Sequence, residues 1–443
     1  MLYHWQCRRP ADRRLGHRSG PPPRPRPGPR HPRHPRPRDR AVAGTTGWVR
    51  LGGRPRMLKS LRLSNFLSFA PDAPSIELRS LNVLIGANGS GKTNFLKALR
   101  VLQATTYNFM SYLNQENTFD EWRHRFSGDH TLPIAIDAHF EIPVDRLNVD
   151  LNHRIELRNH GKNTAFFETT VKNDGSVGKI QKLFEESTSG QQYLSQNGTL
   201  DLLETDDDDR RLSIIERAAR MNGQTSFKYL NRFLRGFRLY DSWVFGPNNI
   251  MRASQKHVSS EPLYEPDYSN FLSILHDLNE HPQEQRSFMK FVQEILPDLE
   301  NVFPKIRSTA LDPFFVQNGV TMSMRHLSDG TLRYIFLGAL LHHPTLPSIV
   351  CIEEPELGLH PDMLRSVIDL IKKASARAQI IITTHSDLVL DMFSDTPESI
   401  LVFDREEEKT TVSRLSQAEL GDSLERYSLG DYWLRGGIGG KRW

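Results

Sequence analysis

Eight residues, Gly86-Ala87-Asn88-Gly89-Ser90-Gly91-Lys92-Thr93, fit the pattern G-x-x-x-x-G-K-[ST]. The spacing has a chemical reason. Glycines let backbone N–H groups curl around phosphate oxygens, and the start of a following helix adds positive potential. Gly86, Asn88, Gly89, Ser90 and Gly91 would form this cradle. Lys92 is expected to reach the β- and γ-phosphates of a nucleoside triphosphate, and the Thr93 hydroxyl to ligate Mg²⁺. More than 250 residues later, "PSIVCIEEPELGLHP" (347–361) sets the apolar run Ile349–Ile352 directly before two acids. Glu353 is placed to hold Mg²⁺ or its water. Glu354 is placed to orient and deprotonate an attacking water, a role worth roughly 10²–10⁴ in rate. In "AQIIITTHSDLVLDMF" (378–393) a second apolar run ends just ahead of His385, whose imidazole can hydrogen-bond a γ-phosphate and sense its loss. Finally, "HLSDGTLRY" places Ser328 ahead of an apolar run, which is how an ordinary capped helix begins. The same start, with Gly330 in it, could also hold a terminal phosphate.

These groups need strands and helices to deliver them. "MLKSLRLSNF" alternates apolar and polar residues, "SIELRSLNVLIG" ends as a buried strand, and "KTNFLKALRVLQ" has helical spacing, so the glycine-rich loop lies between strand and helix. "PIAIDAHFEI" (133–142) and "HRIELRN" (153–159) alternate again. "TAFFETTVKNDGSVGKIQKL" predicts a hairpin turning at Asn173-Asp174-Gly175. Together they predict an antiparallel sheet beside the nucleotide site. From about 185 to 308, "LSIIERAARM", "FKYLNRFLRGFRLYD", "YSNFLSILHDLN" and "RSFMKFVQEILPDLENVF" read as amphipathic helices, with "ETDDDDRR" (204–211) as a solvated linker. The expected organisation is therefore the N-terminal part of an α/β core with the glycine loop at 57–184, a helical insertion at 185–308, and the rest of the core at 309–443.

Charge sharpens the boundary at residue 57. The chain of 443 residues has a formal charge of +4, yet residues 1–56 hold 15 Arg, no Lys and only Asp12 and Asp39 as acids. The remaining 387 residues carry a net −9, so no general affinity for DNA or membrane follows from them. Eleven of the 27 prolines also fall in the first 56 residues, a composition with too few apolar groups to offset the entropy of ordering. Three readings compete: a tail gripping anionic polymers, a targeting peptide, or a misassigned start. Scarce Ser and no amphipathic pattern argue against targeting. The orderly strand pattern from Met57 favours the third, with 1–56 as a disordered Arg/Pro-rich segment. Two cysteines, Cys7 and Cys351, cannot make a disulfide framework, and no apolar run approaches the ~20 residues of a membrane span. A cytoplasmic setting, with no membrane partner, is expected.

Glycine loop, Leu-Ser-x-Gly, two-acid strand and His, in this order, resemble the ABC-type ATPases. Ser328 precedes Glu353 by 25 residues and His385 follows Glu354 by 31. The resemblance is closest to the RecF/SMC-like branch and the OLD-type ATPases, on "IEEPE-x-x-LHP" and "TTHS". It covers 57–105 and 309–443 well and the middle in outline. It implies an α/β P-loop head of ABC/SMC type, with a mixed sheet and an antiparallel side sheet. It also implies ATP hydrolysis with Mg²⁺, and a homodimer that sandwiches two nucleotides. Ser328 and the Gly330 backbone would then act across the interface on ATP held by Lys92 and Thr93 of the other head. Glu353, Glu354 and His385 would act in their own head, and "ELGLHP" would be the interface loop. Two positions depart from the pattern: Glu353 where ABC proteins usually show Asp, and Asp329 where the transporters' signature has Gly. Gln103 and Gln115 are candidates for the family's Q-loop glutamine.

Two outputs are expected. One is action on DNA in repair, recombination or defence against foreign DNA, for which Arg217, Arg220, Lys228, Arg232, Arg235 and Arg238 with interleaved aromatics could form a phosphate-tracking helix. The other is control of a separately encoded nuclease or toxin, because only 58 residues follow His385, too few for the nuclease domain of OLD-type proteins.

Overall fold

A computed structural model describes residues 57–439 apart from short stretches, chiefly 114–120, 174–179, 195–199, 203–212, 217–224, 257–264 and 422–425. The Arg/Pro-rich head, "ETDDDDRR", Gln115, Arg217 and Arg220 lie outside the described residues.

Strand β1 (Met57–Ser64) pairs with β2 (Ile76–Glu77), and β3 (Leu81–Ile85) leads into the glycine loop and helix α1 (Lys92–Ala104). Strands β4 (Ile134–Val144), β5 (Leu147–His160), β6 (Asn163–Asn173), β7 (Ile180–Ser187), β8 (Gly190–Leu194) and β9 (Leu200–Leu202) follow. They join β1 and β2 in an antiparallel sheet ordered β2-β1-β4-β5-β6-β7-β8-β9. The expected side sheet is present, and β6 and β7 form the expected antiparallel pair.

A second sheet holds the chemistry. Its order is β10 (Phe237–Tyr240), β15 (Ile349–Glu353), β16 (Gln379–Thr383), β3, β17 (Ile400–Glu406) and β18 (Lys409–Arg414), and only β18 runs antiparallel. Parallel strands covered on both faces read as continuous apolar runs, which is why Leu81–Ile85, Ile349–Ile352 and Ile380–Ile382 look alike in sequence. Alternation within these runs divides two cores. Val83, Ile85, Val350, Ile352, Ile380 and Ile382 face the helices of the C-terminal half. Leu84, Ile349, Cys351 and Ile381 face α1 and the antiparallel sheet. Each such Ile, Leu or Val is fully or almost fully buried, contributing about 1.5–3 kcal/mol. A third sheet pairs β11 (Gln255–Lys256), β13 (Ala310–Gln317) and β12 (Leu299–Arg307), with β14 (Val320–Ser323) on β13.

The span 185–308 is not the all-helical insertion that periodicity predicts. It does hold α2 (Thr225–Arg235), α3 (Phe271–Asn279) and α4 (Pro282–Ile295). Yet the side sheet runs past 185 to Leu202, and β10 is an edge strand of the nucleotide sheet. Helix α2 stops at Gly236, where a Cβ would sit 2.6 Å from Ser348 Oγ, and Phe237–Tyr240 are all buried. A short apolar run carries no period that separates buried strand from helix. Helix α4 likewise ends before Pro297, and Leu299–Arg307 continues as β12.

The phosphate-tracking helix also needs correction. Phe227, Phe233, Phe237 and Tyr240 are packed in the core and cannot stack on bases. Arg238 is buried and donates to the carbonyls of Arg235 and Phe237. Of the described cations there, Lys228 and Arg235 are exposed.

Candidate nucleotide-binding site

The glycine loop follows β3 at the middle of the parallel sheet, and its backbone leaves no room for side chains at two positions. Gly86 has φ +145°, and a Cβ there would lie 2.1 Å from the Phe403 carbonyl oxygen. Gly91 caps α1 with φ +110°, and its Cβ would lie 2.3 Å from Thr410 Oγ1. Only glycine adopts these conformations without strain. Thr410 and Ser68 brace the loop from behind. The Thr410 hydroxyl lies 2.8 Å from the Ser90 carbonyl and 2.7 Å from Ser68 Oγ, which accepts from the Asn94 amide.

Lys92 lies nearly buried at the first turn of α1, where its ammonium donates to the Gly86 carbonyl at 2.7 Å and the Ala87 carbonyl at 3.0 Å. Burial pulls its pKa down to about 8, against the opposing pull of Glu354 and Glu353. Across a cleft of about 160 Å³, Asn88, Gly89 and Gly91–Asn94 face Glu353, Glu354 and His385. The acids end β15, His385 follows β16, and these strands are parallel neighbours with Glu353 paired to Thr383. Burial first, then the adjacent Glu354, raises the Glu353 pKa, with Arg100 and Lys92 opposing. Glu354 takes a left-handed backbone, φ +46°, and its N–H donates to the Thr383 carbonyl at 3.0 Å. This turn sets Glu354 Oε1 3.9 Å from His385 Nε2.

The structure thus brings the loop, both acids and His385 into one cleft. Ser328 and Gly330 are not part of its lining. Ser328 is exposed and caps helix α5 (Asp329–His342), accepting from the Thr331 N–H at 3.1 Å, so the local capping reading holds. Gly330 sits against the loop after the acids: a Cβ there would be 2.5 Å from the Gly358 carbonyl. Asp329, unexplained in the sequence, turns away to other partners. Its carboxylate accepts from Arg252 at 2.7 Å and from the Gly246 N–H at 2.8 Å, and the Arg252 bond holds its pKa below the usual range. Arg252 is itself buried and donates to the Leu327 and Arg325 carbonyls, so it clamps the approach to α5. Arg252→Ala is expected to destabilise the fold by about 3 kcal/mol, read from the denaturant midpoint, because Asp329 and two carbonyls lose their donor.

Sequence reasoning missed three residues here. Arg333 is buried in α5, stacks 3.7 Å over the Trp243 ring and donates to the carbonyls of Glu353, Glu354 and Leu357. Trp243 Nε1 donates to the same Glu353 carbonyl at 3.0 Å. Glu356 is packed beneath the His385 loop, where Oε1 accepts from the Thr384 hydroxyl at 2.6 Å and the His385 N–H at 3.1 Å. Burial raises its pKa. The available signals were an arginine inside the apolar run "TLRYIFLGALL" and the third acid of "EEPE". Gln103, a candidate for the Q-loop glutamine, donates to the Phe237 carbonyl at 2.8 Å and braces α1 on β10.

The chain is 21% identical over 373 residues to the Retron Vc95 probable ATPase of Vibrio cholerae serotype O1 biovar El Tor, covering 75% of this chain and 71% of that protein. Its fold is similar to the solved SmcHead bound to the C-winged helix domain of ScpA, with TM-score 0.50 and 14% identity, covering 82% of this chain and all but 1% of that one. At such identity the likeness speaks to the fold alone, a mixed α/β P-loop head of SMC type. Residues 81–391, from β3 to the end of the short helix after His385, match one family profile. The chain therefore belongs to the AAA_21 family (AAA domain, putative AbiEii toxin, Type IV TA system).

Proposed function

We propose that this chain binds and hydrolyses ATP with Mg²⁺, dimerises around two nucleotides, and uses that cycle to control a separately encoded effector. The observation that carries the ATPase reading is the convergence of Lys92, Glu353, Glu354 and His385 on one cleft at the ends of neighbouring strands. The cradle of Gly86, Asn88, Gly89, Ser90 and Gly91 binds phosphate oxygens through its N–H groups, and Lys92 exchanges its two carbonyl partners for the β- and γ-phosphates. Thr93 and Glu353 would hold the metal. The fit rests on Glu353, whose carboxyl is strained by burial and by Glu354 and would be relieved by a cation. Bound there, Mg²⁺ neutralises charge on the transferring phosphoryl group. Glu354 accepts the proton of the attacking water, and His385 contacts the γ-phosphate. Ser328 and Gly330, outside the cleft lining, are assigned to the nucleotide of a second copy.

Effector control is favoured over direct action on DNA by two observations. The family's description names a toxin and a TA system, and the curated relative is named for a retron. Phe227, Phe233, Phe237 and Tyr240 are core residues, leaving Tyr229 as the half-buried aromatic of the basic helix. DNA repair, recombination or defence is the second reading, supported by the exposed Lys228 and Arg235. Turnover of Mg-ATP by the full chain, measured with and without duplex DNA, separates the two. Turnover indifferent to DNA is expected. Stimulation by DNA that fades with added salt would move the assignment to the second reading.

A further inference from the structure

Next to the phosphate cleft lies a second cavity, of about 240 Å³, that shares Gly89 and Asn94 with it. Its other walls come from Leu67 and Ser68, from Glu121 and Arg123–Phe126, and from Arg405 and Glu408. The two cavities therefore meet across the glycine loop, with the acids and His385 at one end and an aromatic and three arginines at the other.

Phe126 is the unusual member. It is 60% exposed, on a segment that is otherwise anchored firmly. Trp122 is buried edge-on to Phe66 at 5.7 Å, and its carbonyl accepts from the Leu67 N–H. His124 is buried too. Its N–H donates to the Asn65 carbonyl at 3.2 Å, and its Nδ1–H donates to the Leu67 carbonyl at 2.9 Å. The His124 ring then meets Phe126 at 5.9 Å and 61°, edge to face. A phenyl ring exposed to water, with its edge contact on a buried and hydrogen-bonded His124, is a platform for a flat partner.

We propose that this cavity seats the nucleoside end of the triphosphate, with the base stacked on Phe126 and with Arg125 and Arg405, the latter ion-paired with Glu408, flanking the sugar and α-phosphate. The proposal rests on the ATP-binding reading above and extends it to the part of the ligand that the glycine loop does not touch. A triphosphate whose terminal group lies between Lys92, Glu354 and His385 must send its other end away from the acids. The shared wall at Gly89 and Asn94 leads it into this cavity. Arginine planes and a phenyl face are the surfaces on which nucleobases stack, and such stacking tolerates any base. Affinity gained at Phe126 is therefore expected for GTP as well as ATP.

The test compares Mg-ATP with Mg-tripolyphosphate, which has the phosphates and no nucleoside, as ligands of the full chain. Phe126→Ala is expected to weaken ATP binding roughly tenfold while leaving tripolyphosphate binding unchanged. Phe126→Trp is expected to restore ATP binding. Unchanged ATP affinity in Phe126→Ala, or an equal loss for both ligands, would overturn the subsite. A wild-type chain that binds neither ligand would overturn the nucleotide reading itself. Because tripolyphosphate binding reports an intact glycine loop, a misfolded variant cannot pass for a lost subsite.

Discussion

Glu354→Gln is expected to lower ATP turnover by roughly 10²–10⁴ while leaving nucleotide affinity near that of the wild type. The carboxamide matches the carboxylate in shape but cannot take a proton from water. The backbone should not notice the change, because the left-handed turn at 354 is held by its N–H on Thr383, which the substitution retains. Glutamine is no more strained there than glutamate. Hydrolysis is what would release two heads, so the variant should accumulate as a dimer in Mg-ATP, seen by light scattering, while the wild type exchanges between states. A monomer that hydrolyses at the wild-type rate would remove both Glu354 from the mechanism and the dimer from the cycle.

Lys92→Ala is expected to weaken ATP binding by two to three orders of magnitude, about the loss that follows truncating one partner of a desolvated charge pair. It also has a pH signature. Burial leaves the free ammonium with a pKa of about 8, whereas phosphate oxygens bound beside it would raise that value. Sign follows directly. Below about pH 8 the lysine is already charged and binding takes up no proton. Above it, the bound state holds more protons than the free state, so affinity falls as pH rises, by up to about tenfold per unit. Titration of ATP affinity between about pH 7 and pH 9.5 should show this decline in the wild type and none in Lys92→Ala. A flat wild-type profile would mean that Lys92 meets no phosphate.

The cleft was legible in the sequence because each of its parts ends a buried parallel strand, and such strands announce themselves as apolar runs followed at once by polar residues. Glu353-Glu354 after Ile349–Ile352 and His385 after Ile380–Thr383 needed no tertiary information. What connects the parts was not legible. Asp329 found its partner in Arg252, 77 residues earlier, and Arg333 found its own in carbonyls 20 to 24 residues later. Backbone acceptors carry no signature in side-chain type, so no pattern could have paired them. Phe237–Tyr240 failed for a different reason. Four buried residues after a helix look like one more helical turn, and only the close approach of Gly236 to Ser348 breaks the run.

Because β3, β15 and β16 send alternate side chains into two separate cores, the strands that hold the reactive groups are also the partition between them. Cohesion and chemistry share the same few backbone segments. A smaller residue at Ile381 opens a void on one side and a smaller residue at Ile382 on the other, yet either shifts the end of the strand that carries His385. Substitutions along these three strands are therefore confined to volume-matched aliphatics by two filters at once.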